Sequence, residues 1–159
     1  MTMRTTSTCL EGTVRVGVDL CRVADVAEAI DRFGPRYVDR VYTAAEIGDG
    51  ATAATAAPEH LAARFAAKEA TFKVLRPDRA GIDWRTIEVV RDPGGWCDIR
   101  LRGAMAEQAR RSGISSLTVA LSHEAGMAVA VVVGLIAPED DETSPRAAAR
   151  TTTERVDTP

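Results

Sequence analysis

The spacing of apolar residues along the chain predicts five β-strands. In each segment, apolar and mostly β-branched residues alternate with polar ones or form a short continuous run, which is typical of strands. The segments are residues 13–20, 85–92, 97–103, 115–122 and 127–136. Short connections at residues 93–95 and 123–126 predict that the last four strands form two hairpins.

A second spacing, with apolar residues three and four positions apart, predicts the helices. They cover residues 23–33, 36–41, 59–76 and 104–113. Thr43 followed by Glu46 is the pattern of a capping box and predicts a further helical turn. Because hairpins outnumber crossovers, we expect an α+β fold in which a mostly antiparallel sheet packs with one long helix and shorter helices.

The predicted elements form one domain with a segment on each side. Residues 1–12 are expected to be a flexible leader, residues 13–137 the folded domain, and residues 138–159 a disordered tail that is acidic and then rich in Thr, Ala and Arg. Residues 48–58 are small and of low complexity, which predicts a loop before the long helix. A chain of 159 residues suffices for one hydrophobic core.

Composition and charge exclude several classes of function. The net charge is −3, and because the tail carries six acidic and three basic residues, residues 1–137 are neutral. A neutral body provides no field for general nucleic-acid binding. No apolar run approaches the ~20 residues that span a bilayer, and the first ten residues lack the apolar core of an export signal. Three scattered cysteines form neither a disulfide framework nor a metal-ligand spacing, so we expect a cytoplasmic protein.

The two lysines stand apart because every other basic side chain is an arginine. Of the 20 basic residues, only Lys68 and Lys73 are lysines, and both lie in the long predicted helix. An ammonium is a compact charge that can titrate when buried, whereas a guanidinium stays charged. Chance combined with a codon bias toward Arg and Ala is the simple explanation, and a site that requires lysine is the functional one.

Helical geometry places these lysines relative to the apolar stripe of residues 59–76. Lys68 falls inside the stripe that includes Leu61 and Phe72, and Glu69 lies on its shoulder. One structural alternative is that Lys68 extends past its neighbours to water. Another is that Glu69 and Lys73 form an i,i+4 ion pair worth about 0.2–0.5 kcal/mol. Neither alternative explains why both cations are lysine.

Polar residues at the ends of other elements suggest phosphate and metal chemistry. Asp19 ends the first strand, where it could cap the next helix or reach a cation. His123 lies in the last predicted loop, and His60, in the first turn of the long helix, is interpreted as a surface residue. The sequence has no zinc, nucleophile-elbow or Walker motif, so two carboxylates and two lysines favour a phosphate substrate and Mg²⁺.

Three sequence motifs carry a resemblance to a known family. VGVDLCRV contains Gly-x-Asp, RFAAKEATFKVL contains Phe-x-x-Lys-Glu-Ala-x-x-Lys, and LSHEAGMAVAVVV contains Ser-His before the last strand. In this order they resemble the holo-[acyl-carrier-protein] synthase type of 4'-phosphopantetheinyl transferase. The resemblance runs from Arg15 to Val133 and implies a single copy of that fold, which is the short form of the family.

This resemblance implies a reaction and a metal site. Asp19 and Glu69 would hold Mg²⁺ against the pyrophosphate of coenzyme A, and Lys73 would contact the reacting phosphate. The enzyme would transfer 4'-phosphopantetheine from coenzyme A to a serine of an apo acyl carrier protein and release 3',5'-ADP. The base for the serine proton would be Glu69 or a metal-bound water. Such a reaction depends on alignment and charge neutralisation.

The resemblance also implies the binding residues, the partners and the assembly. Arg64 and Lys68 would support the phosphates, and Ser122 and His123 would bind the nucleotide end of coenzyme A. The short form of the family implies a homotrimer with sites between subunits. The partners would be coenzyme A and an apo acyl carrier protein of the fatty-acid or polyketide type.

Several positions depart from the pattern of the family. Asp25 stands where the family often has a basic residue that docks the acidic carrier, and Trp96-Cys97 stand where a proline is usual. The turn RPDRAG replaces a glycine-rich one. These departures keep two other functions open on the same fold, namely a non-catalytic module that binds a carrier protein or coenzyme A, and a different Mg-dependent enzyme.

Overall fold

The structure, a computed structural model, describes residues 13–48, 57–78 and 81–137. The predicted leader (1–12), most of the predicted loop (49–56) and the predicted tail (138–159) lie outside the described residues. Within the described part of the chain, every predicted strand and helix is present. Cys21 and Cys97 are free thiols, and Cys9 lies outside the described residues.

In the described residues, five strands form two antiparallel sheets. They are β1 (Thr13–Arg22), β2 (Ile87–Arg91), β3 (Cys97–Leu101), β4 (Ile114–Glu124) and β5 (Met127–Ile136). The larger sheet has the strand order β1-β5-β4, so the first strand pairs with the last. Strands β2 and β3 form a separate hairpin. The predicted α+β class with antiparallel pairing is confirmed.

The helices occupy the predicted positions to within a few residues. They are α1 (Val23–Phe33), α2 (Pro35–Val41), α3 (Ala44–Ile47), α4 (Pro58–Leu75) and α5 (Gly103–Arg111), with a 3₁₀ turn at Trp84–Thr86. Helix α3 begins with the predicted capping box, in which Thr43 and Glu46 each accept from the other's backbone N–H. Helix α4 ends at Leu75, and the next residue, Arg76, adopts a left-handed conformation before Pro77. None of the described helices is both long and apolar enough to cross a membrane.

The hairpin between β4 and β5 is tighter than predicted. The sequence predicts a longer loop, but β4 continues to Glu124. The turn needs only Ala125 and Gly126, which have positive φ angles of 49° and 77°. Two such residues form a type I′ turn whose twist matches that of the flanking strands, so the strands run up to it. His123, which was predicted in the loop, is therefore a strand residue like Ser122, and their side chains point to opposite faces of the sheet.

Helix α4 lies close to the larger sheet because two strand glycines leave room for it. A Cβ atom at Gly17 of β1 would lie 2.0 Å from the carbonyl oxygen of Ala70. A Cβ atom at Gly134 of β5 would lie 2.7 Å from Val74 Cγ1. The helix thereby buries a second face, made of alanines and Val74, that the predicted apolar stripe does not include. This contact determines where the C-terminal half of α4 passes β1.

Candidate active site

The end of β1 and the C-terminal half of α4 bring predicted catalytic residues together. Gly17, Asp19 and Cys21 occupy every second position of β1, on the face that meets α4. Lys73 of α4 donates from Nζ to Asp19 Oδ1 at 2.9 Å and to the carbonyl oxygen of Val18 at 2.7 Å. Two predicted residues that lie 54 positions apart in the sequence are therefore in direct contact.

The buried thiol of Cys21 lies near enough to both Asp19 and Glu69 for their charges to raise its pKa. Burial, followed by the negative charges of Asp19, Asp25 and Glu69, raises the pKa of Cys21 to about 11. Both predicted metal ligands therefore act electrostatically on one group at the end of β1. Glu69 also lies one helical turn before Lys73 on α4. Asp19, Cys21, Glu69 and Lys73 together are called the β1–α4 junction below.

The side chains of the β1–α4 junction suit a hard divalent cation that is shared with a substrate. Within the described residues, no group of three or more His, Cys, Asp or Glu side chains has a geometry that would hold a metal ion. Mg²⁺ commonly takes one or two carboxylates from a protein and its other ligands from water and substrate phosphates. Asp19 already accepts a cationic group, the ammonium of Lys73, and its side chain is 19% exposed. Two carboxylates at a junction that solvent reaches fit this mode of binding.

Lys68 lies in the core, away from the junction. Its side chain has no exposed surface, and Nζ donates to Glu46 Oε2 at 2.9 Å and to the carbonyl oxygens of Trp84 (3.0 Å) and Ile87. These contacts use all three protons of the ammonium. Lys68 therefore does not extend to water, and it has no proton for a phosphate in this arrangement. The structure shows a buried ion pair in place of the phosphate contact that the resemblance implies.

Glu46 explains how the core accommodates this cation. Its Oε1 accepts from the backbone N–H of Val89 at 3.0 Å, and its Oε2 accepts from the N–H of Thr43 at 2.9 Å as well as from Lys68. Burial lowers the pKa of Lys68, and the negative charge of Glu46 opposes that shift. One carboxylate thus caps α3, contacts β2 and neutralises the cation on α4, so the pair joins three elements.

A pocket of about 250 Å³ lies near the N-terminal half of α4 and is lined by cationic and histidine side chains. Its lining residues are His60, Ala63, Arg64, Arg91, Gly95, Cys97, Leu121 and His123. The ring centroids of the two histidines are 6.3 Å apart. Among the residues that the structure describes, Arg64 Nε is the one buried side-chain nitrogen or oxygen without a hydrogen-bond partner. This feature is called the histidine pocket below.

The histidine pocket contains two of the predicted coenzyme A ligands and excludes a third. Arg64 and His123 line it, but Ser122 points to the opposite face of the sheet. Two lining residues, His60 and Arg91, are not among the predicted ligands. The sequence feature that could have identified His60 as a pocket residue is its position four residues before Arg64, on the same face of the helix. Arg91 reaches the pocket through the β2–β3 hairpin, and no local sequence pattern reveals that contact.

The face of the larger sheet that points away from α4 is apolar and exposed. The exposed fractions are 47% for Val14, 59% for Val16, 51% for Val18, 62% for Leu20 and 36% for Val131. Alternation along β1 puts the first four on one face, and Val18 pairs with Val131 of β5. These five residues are called the open sheet face. Contiguous apolar patches on a protein surface commonly mark interaction sites.

A comparison with known families gives the class of the protein. The sequence profile of the 4'-phosphopantetheinyl transferase superfamily matches residues 15–132, a span that contains both the β1–α4 junction and the histidine pocket. The chain belongs to the 4'-phosphopantetheinyl transferase superfamily.

Individual relatives narrow that class to the holo-[acyl-carrier-protein] synthases. The chain is 42% identical over 120 residues to the holo-[acyl-carrier-protein] synthase of Desulforudis audaxviator, across 76% of this chain and 91% of that protein. It is 45% identical over 129 residues to the synthase of Chloroflexus aurantiacus, across 74% and 94%. It is 43% identical over 120 residues to that of Frankia alni, across 76% and 95%. The resemblance found in the sequence motifs is thereby confirmed.

Solved structures share the fold. The Chronobacterium ammoniagenes ACPS-CoA complex matches with a TM-score of 0.66 and 28% identity, over 79% of this chain and 99% of that one. The Helicobacter pylori holo-[acyl-carrier-protein] synthase in complex with coenzyme A matches with a TM-score of 0.61 and 28% identity, over 76% and 99%. The Mycobacterium tuberculosis acyl carrier protein synthase matches with a TM-score of 0.58 and 38% identity, over 77% and 96%.

Proposed function

We propose that the chain transfers the 4'-phosphopantetheine group of coenzyme A to a serine of an apo acyl carrier protein and releases 3',5'-ADP. Similar proteins are holo-[acyl-carrier-protein] synthases, and two similar structures are complexes with coenzyme A. The observation that carries the proposal is the contact of Lys73 with Asp19 at 2.9 Å, beside Glu69. The ammonium of Lys73 contacts the carboxylate of Asp19, and Glu69 lies one helical turn before Lys73. An ammonium and two carboxylates are groups suited to a metal-assisted transfer from a pyrophosphate.

We further propose that Asp19 and Glu69 hold Mg²⁺ at the β1–α4 junction. When bound, the ion would neutralise negative charge on the pyrophosphate. Lys73 would also neutralise negative charge on the pyrophosphate, because its side chain is 49% exposed. Its Nζ directs two of its three protons to Val18 and Asp19. Because half of the side chain is exposed, a phosphate oxygen can approach the ammonium, which has three protons in all. The contact with Asp19 holds the ammonium at the place where negative charge develops.

The chemical step is a displacement at phosphorus. The hydroxyl oxygen of the carrier serine forms a bond to the phosphorus that bears pantetheine, and the bond from that phosphorus to the bridging oxygen breaks. The bridging oxygen leaves with its electron pair on 3',5'-ADP, and the serine proton passes to a nearby base. The residues of this chain act by alignment and charge stabilisation, without a covalent intermediate.

We assign the nucleotide end of coenzyme A to the histidine pocket. Arg64 and His123 line the pocket and provide the donors that phosphate oxygens accept from. Arg64 and Lys73 lie nine residues apart on α4, which is about 13 Å along the helix axis. A ligand that contacts both ends must be elongated, as coenzyme A is. Lys68 lies between them but serves the core through its contact with Glu46.

We propose that the open sheet face packs against other copies of the chain, in a homotrimer whose sites lie between subunits. A second copy fits this face because its valines and leucine carry no charge, and the interfaces of permanent oligomers resemble a protein core. Leu20, Val129 and Ser122 form one row across the sheet, so Ser122 lies at the margin of the open sheet face. A neighbouring copy seated there would bring Ser122 into a shared site, as the family resemblance implies.

A non-catalytic binding module is the second candidate, and one observation favours it. Asp25 stands where the family often has a basic residue that docks the carrier, and its carboxylate is paired with Arg22 at 2.6 Å on the surface. This pair presents no net positive charge to an acidic carrier. We expect the protein to work in the cytoplasm on a carrier of the fatty-acid or polyketide type. Such a carrier would then bind through residues other than Arg22 and Asp25.

The mass of the carrier distinguishes the two functions. Purified protein, coenzyme A and Mg²⁺ are incubated with a panel of apo acyl carrier proteins from fatty-acid and polyketide systems. The proposal predicts that at least one carrier gains the mass of one 4'-phosphopantetheinyl group while an equal amount of 3',5'-ADP appears. Binding of coenzyme A or of a carrier, with no mass gain on any carrier, would identify a binding module.

A further inference from the structure

The side chain of Val74 lies between two strand glycines, next to the β1–α4 junction. Val74 directly follows Lys73 on α4 and has no exposed surface. A Cβ atom at Gly17 of β1 would lie 3.0 Å from Val74 Cγ2, and one at Gly134 of β5 would lie 2.7 Å from Val74 Cγ1. Each methyl group of Val74 therefore occupies space that a side chain on the strand would need. Val74, Gly17 and Gly134 together are called the valine notch below.

The two glycines form one recess because they lie on the same face of the sheet. Gly134 pairs with Arg15, which lies two residues before Gly17 on β1, and directly paired residues share a face. Valine in a helix strongly prefers one χ1 rotamer, so the helix backbone fixes the directions of both methyl groups of Val74. Seating these methyl groups in the recess therefore restricts both the rotation of α4 and its position along β1.

The valine notch and the contact of Lys73 with Asp19 are adjacent on both elements. On α4, Lys73 precedes Val74, and on β1, Val18 and Asp19 follow Gly17. Lys73 Nζ donates to the carbonyl oxygen of Val18 at 2.7 Å and to Asp19 Oδ1 at 2.9 Å. A donor and an acceptor about 3.6 Å apart no longer form a hydrogen bond, so a displacement of α4 by about 1 Å would break both contacts.

The buried ion pair of α4 does not fix the helix against β1. Glu46 and Lys68 join α4 to α3 and β2, not to the larger sheet. The position of the C-terminal half of α4 relative to β1 therefore depends on packing at the valine notch, where the carbonyl oxygen of Ala70 also fills the space beside Gly17.

We propose that Val74 and Gly134 are positioning residues for the transfer reaction, because they seat α4 on the sheet so that the ammonium of Lys73 meets Asp19. This inference rests on the proposed function, in which Lys73 neutralises charge on the pyrophosphate. Gly134 pairs with Arg15, four residues before Asp19, which is about 13 Å along the strands from the β1–α4 junction. Gly134 thus acts on the reaction through α4 and not by contact with the substrate.

Gly134→Ala is expected to slow the transfer by about 10²-fold, the typical effect of a misplacement of about 1 Å. The added methyl carbon would lie 2.7 Å from Val74 Cγ1, whereas carbon atoms pack at about 3.5–4.0 Å, so α4 must move away from β5. The fall is expected in kcat, with little change in the KM for coenzyme A. The reason is that the proposed site for its nucleotide end lies at the opposite half of α4.

A second substitution tests whether this effect passes through Val74. Val74→Ala removes both methyl groups and leaves the recess partly empty, so kcat is expected to fall, but less than in Gly134→Ala. Combining the two substitutions restores the space, and kcat is expected to rise about tenfold above that of Gly134→Ala, a coupling typical of residues in contact. If Gly134→Ala does not fold, Val74→Ala decides alone, and a wild-type kcat in it overturns the inference.

Two comparisons separate positioning from a general loss of stability. Gly134→Ala is expected to lower kcat much less in a Lys73→Met background than in the wild type, because the ammonium that it misplaces is already absent. Val38→Ala creates a cavity at a fully buried position of α2, away from the valine notch. It is expected to lower the free energy of unfolding and to leave kcat unchanged.

All variants are measured as the full chain, by the mass gain of an apo acyl carrier protein with coenzyme A and Mg²⁺. If the wild type modifies a carrier but Gly134→Ala keeps its kcat, or lowers kcat equally with and without Lys73, only this inference is overturned. If the wild type modifies no carrier, the proposed function and the inference are both overturned. A low kcat in Gly134→Ala, its recovery in the double variant and a smaller effect without Lys73 support the inference.

Discussion

At the scale of single residues, Lys68 and Lys73 are both lysine for different physical reasons. Lys73 is half exposed and bridges Asp19 and a strand carbonyl, whereas Lys68 is fully buried against Glu46. Three acceptors converge on the Lys68 ammonium, a geometry that the planar fork of an arginine does not match. The catalytic argument therefore belongs to Lys73, and Lys68 has its explanation in the core.

Replacing Lys73 is expected to slow the transfer with little effect on folding. Lys73→Met removes a charged donor from the transferring phosphate, so kcat is expected to fall by about 10²–10³-fold. The ion pair with Asp19 is partly exposed, so the free energy of unfolding is expected to change by no more than about 1 kcal/mol. Lys73→Arg, which retains the charge, is the matched control and is expected to recover part of the rate. Carrier modification and urea unfolding measure the two effects, and a wild-type kcat in Lys73→Met would contradict the role.

The sequence motifs assigned Asp19 and Lys73 to one site, and these two side chains are in contact, but no motif reveals the partner of Lys68. Helical periodicity correctly places Lys68 among apolar neighbours. Its carboxylate partner lies 22 positions earlier, in a four-residue helix, and the contact depends on how that helix packs against α4. His60 is exposed, as its interpretation as a surface residue implies, and the sequence does not reveal that β4 brings His123 close to it.

At the scale of elements, α4 positions both parts of the candidate site. Its N-terminal half lines the histidine pocket, and its C-terminal half carries Glu69 and Lys73. The glycines at positions 17 and 134 let the helix approach the sheet, and the Glu46–Lys68 pair ties it to α3 and β2. A shift of α4 would therefore change the distance of both parts of the site from the sheet.

Removing one member of the buried ion pair is expected to destabilise the fold strongly. Lys68→Met leaves the carboxylate of Glu46 buried without its cation, which typically costs about 3–5 kcal/mol. Glu46→Gln leaves the ammonium without its counter-charge and is expected to act in the same direction. The double variant should lose much less than the sum of the two, because neither charge is left alone. Urea unfolding of the four proteins provides the measurement, and additive losses would contradict a coupled pair.

Element positions were predictable where local chemistry decides them and not where tertiary contacts do. Helix α1 has the predicted bounds because Gly34-Pro35 ends it. The extension of β4 into the predicted loop follows from a two-residue turn whose left-handed conformation at Ala125 has no strong sequence signal. The alanine face of α4 was missed because alanine is only weakly apolar, and its burial depends on glycines in distant strands.

At the scale of the whole molecule, the alternation along β1 has an unexpected orientation. The apolar positions of this strand form the open sheet face, while Gly17, Asp19 and Cys21 face α4. Apolar alternation normally marks the buried face of a strand. An exposed apolar face on an edge strand that also carries Asp19 is consistent with burial by another copy of the chain. The sequence could predict the strand but not which of its faces meets the helix.

The open sheet face predicts self-association. Light scattering at micromolar concentration is expected to give the mass of a trimer for the wild type. Val16→Glu places a charge on a position that is 59% exposed in the single chain and would be buried in the trimer, so it is expected to give monomers with reduced transfer activity. Arg32→Glu, a charge change on the exposed surface of α1, is the matched control and should leave the trimer intact. A wild-type monomer at micromolar concentration would contradict this assembly.

The central claim is that β1 and α4 bring Asp19 and Glu69 to a common site where phosphopantetheine is transferred. The most direct test is the mass of an apo acyl carrier protein after incubation with coenzyme A, Mg²⁺ and either the wild-type chain or Glu69→Gln. With the wild type, we expect one added phosphopantetheinyl group. With Glu69→Gln, we expect the addition to be slower by about 10²-fold or more, while the circular dichroism spectrum stays unchanged. Wild-type turnover by a well-folded Glu69→Gln would contradict the account.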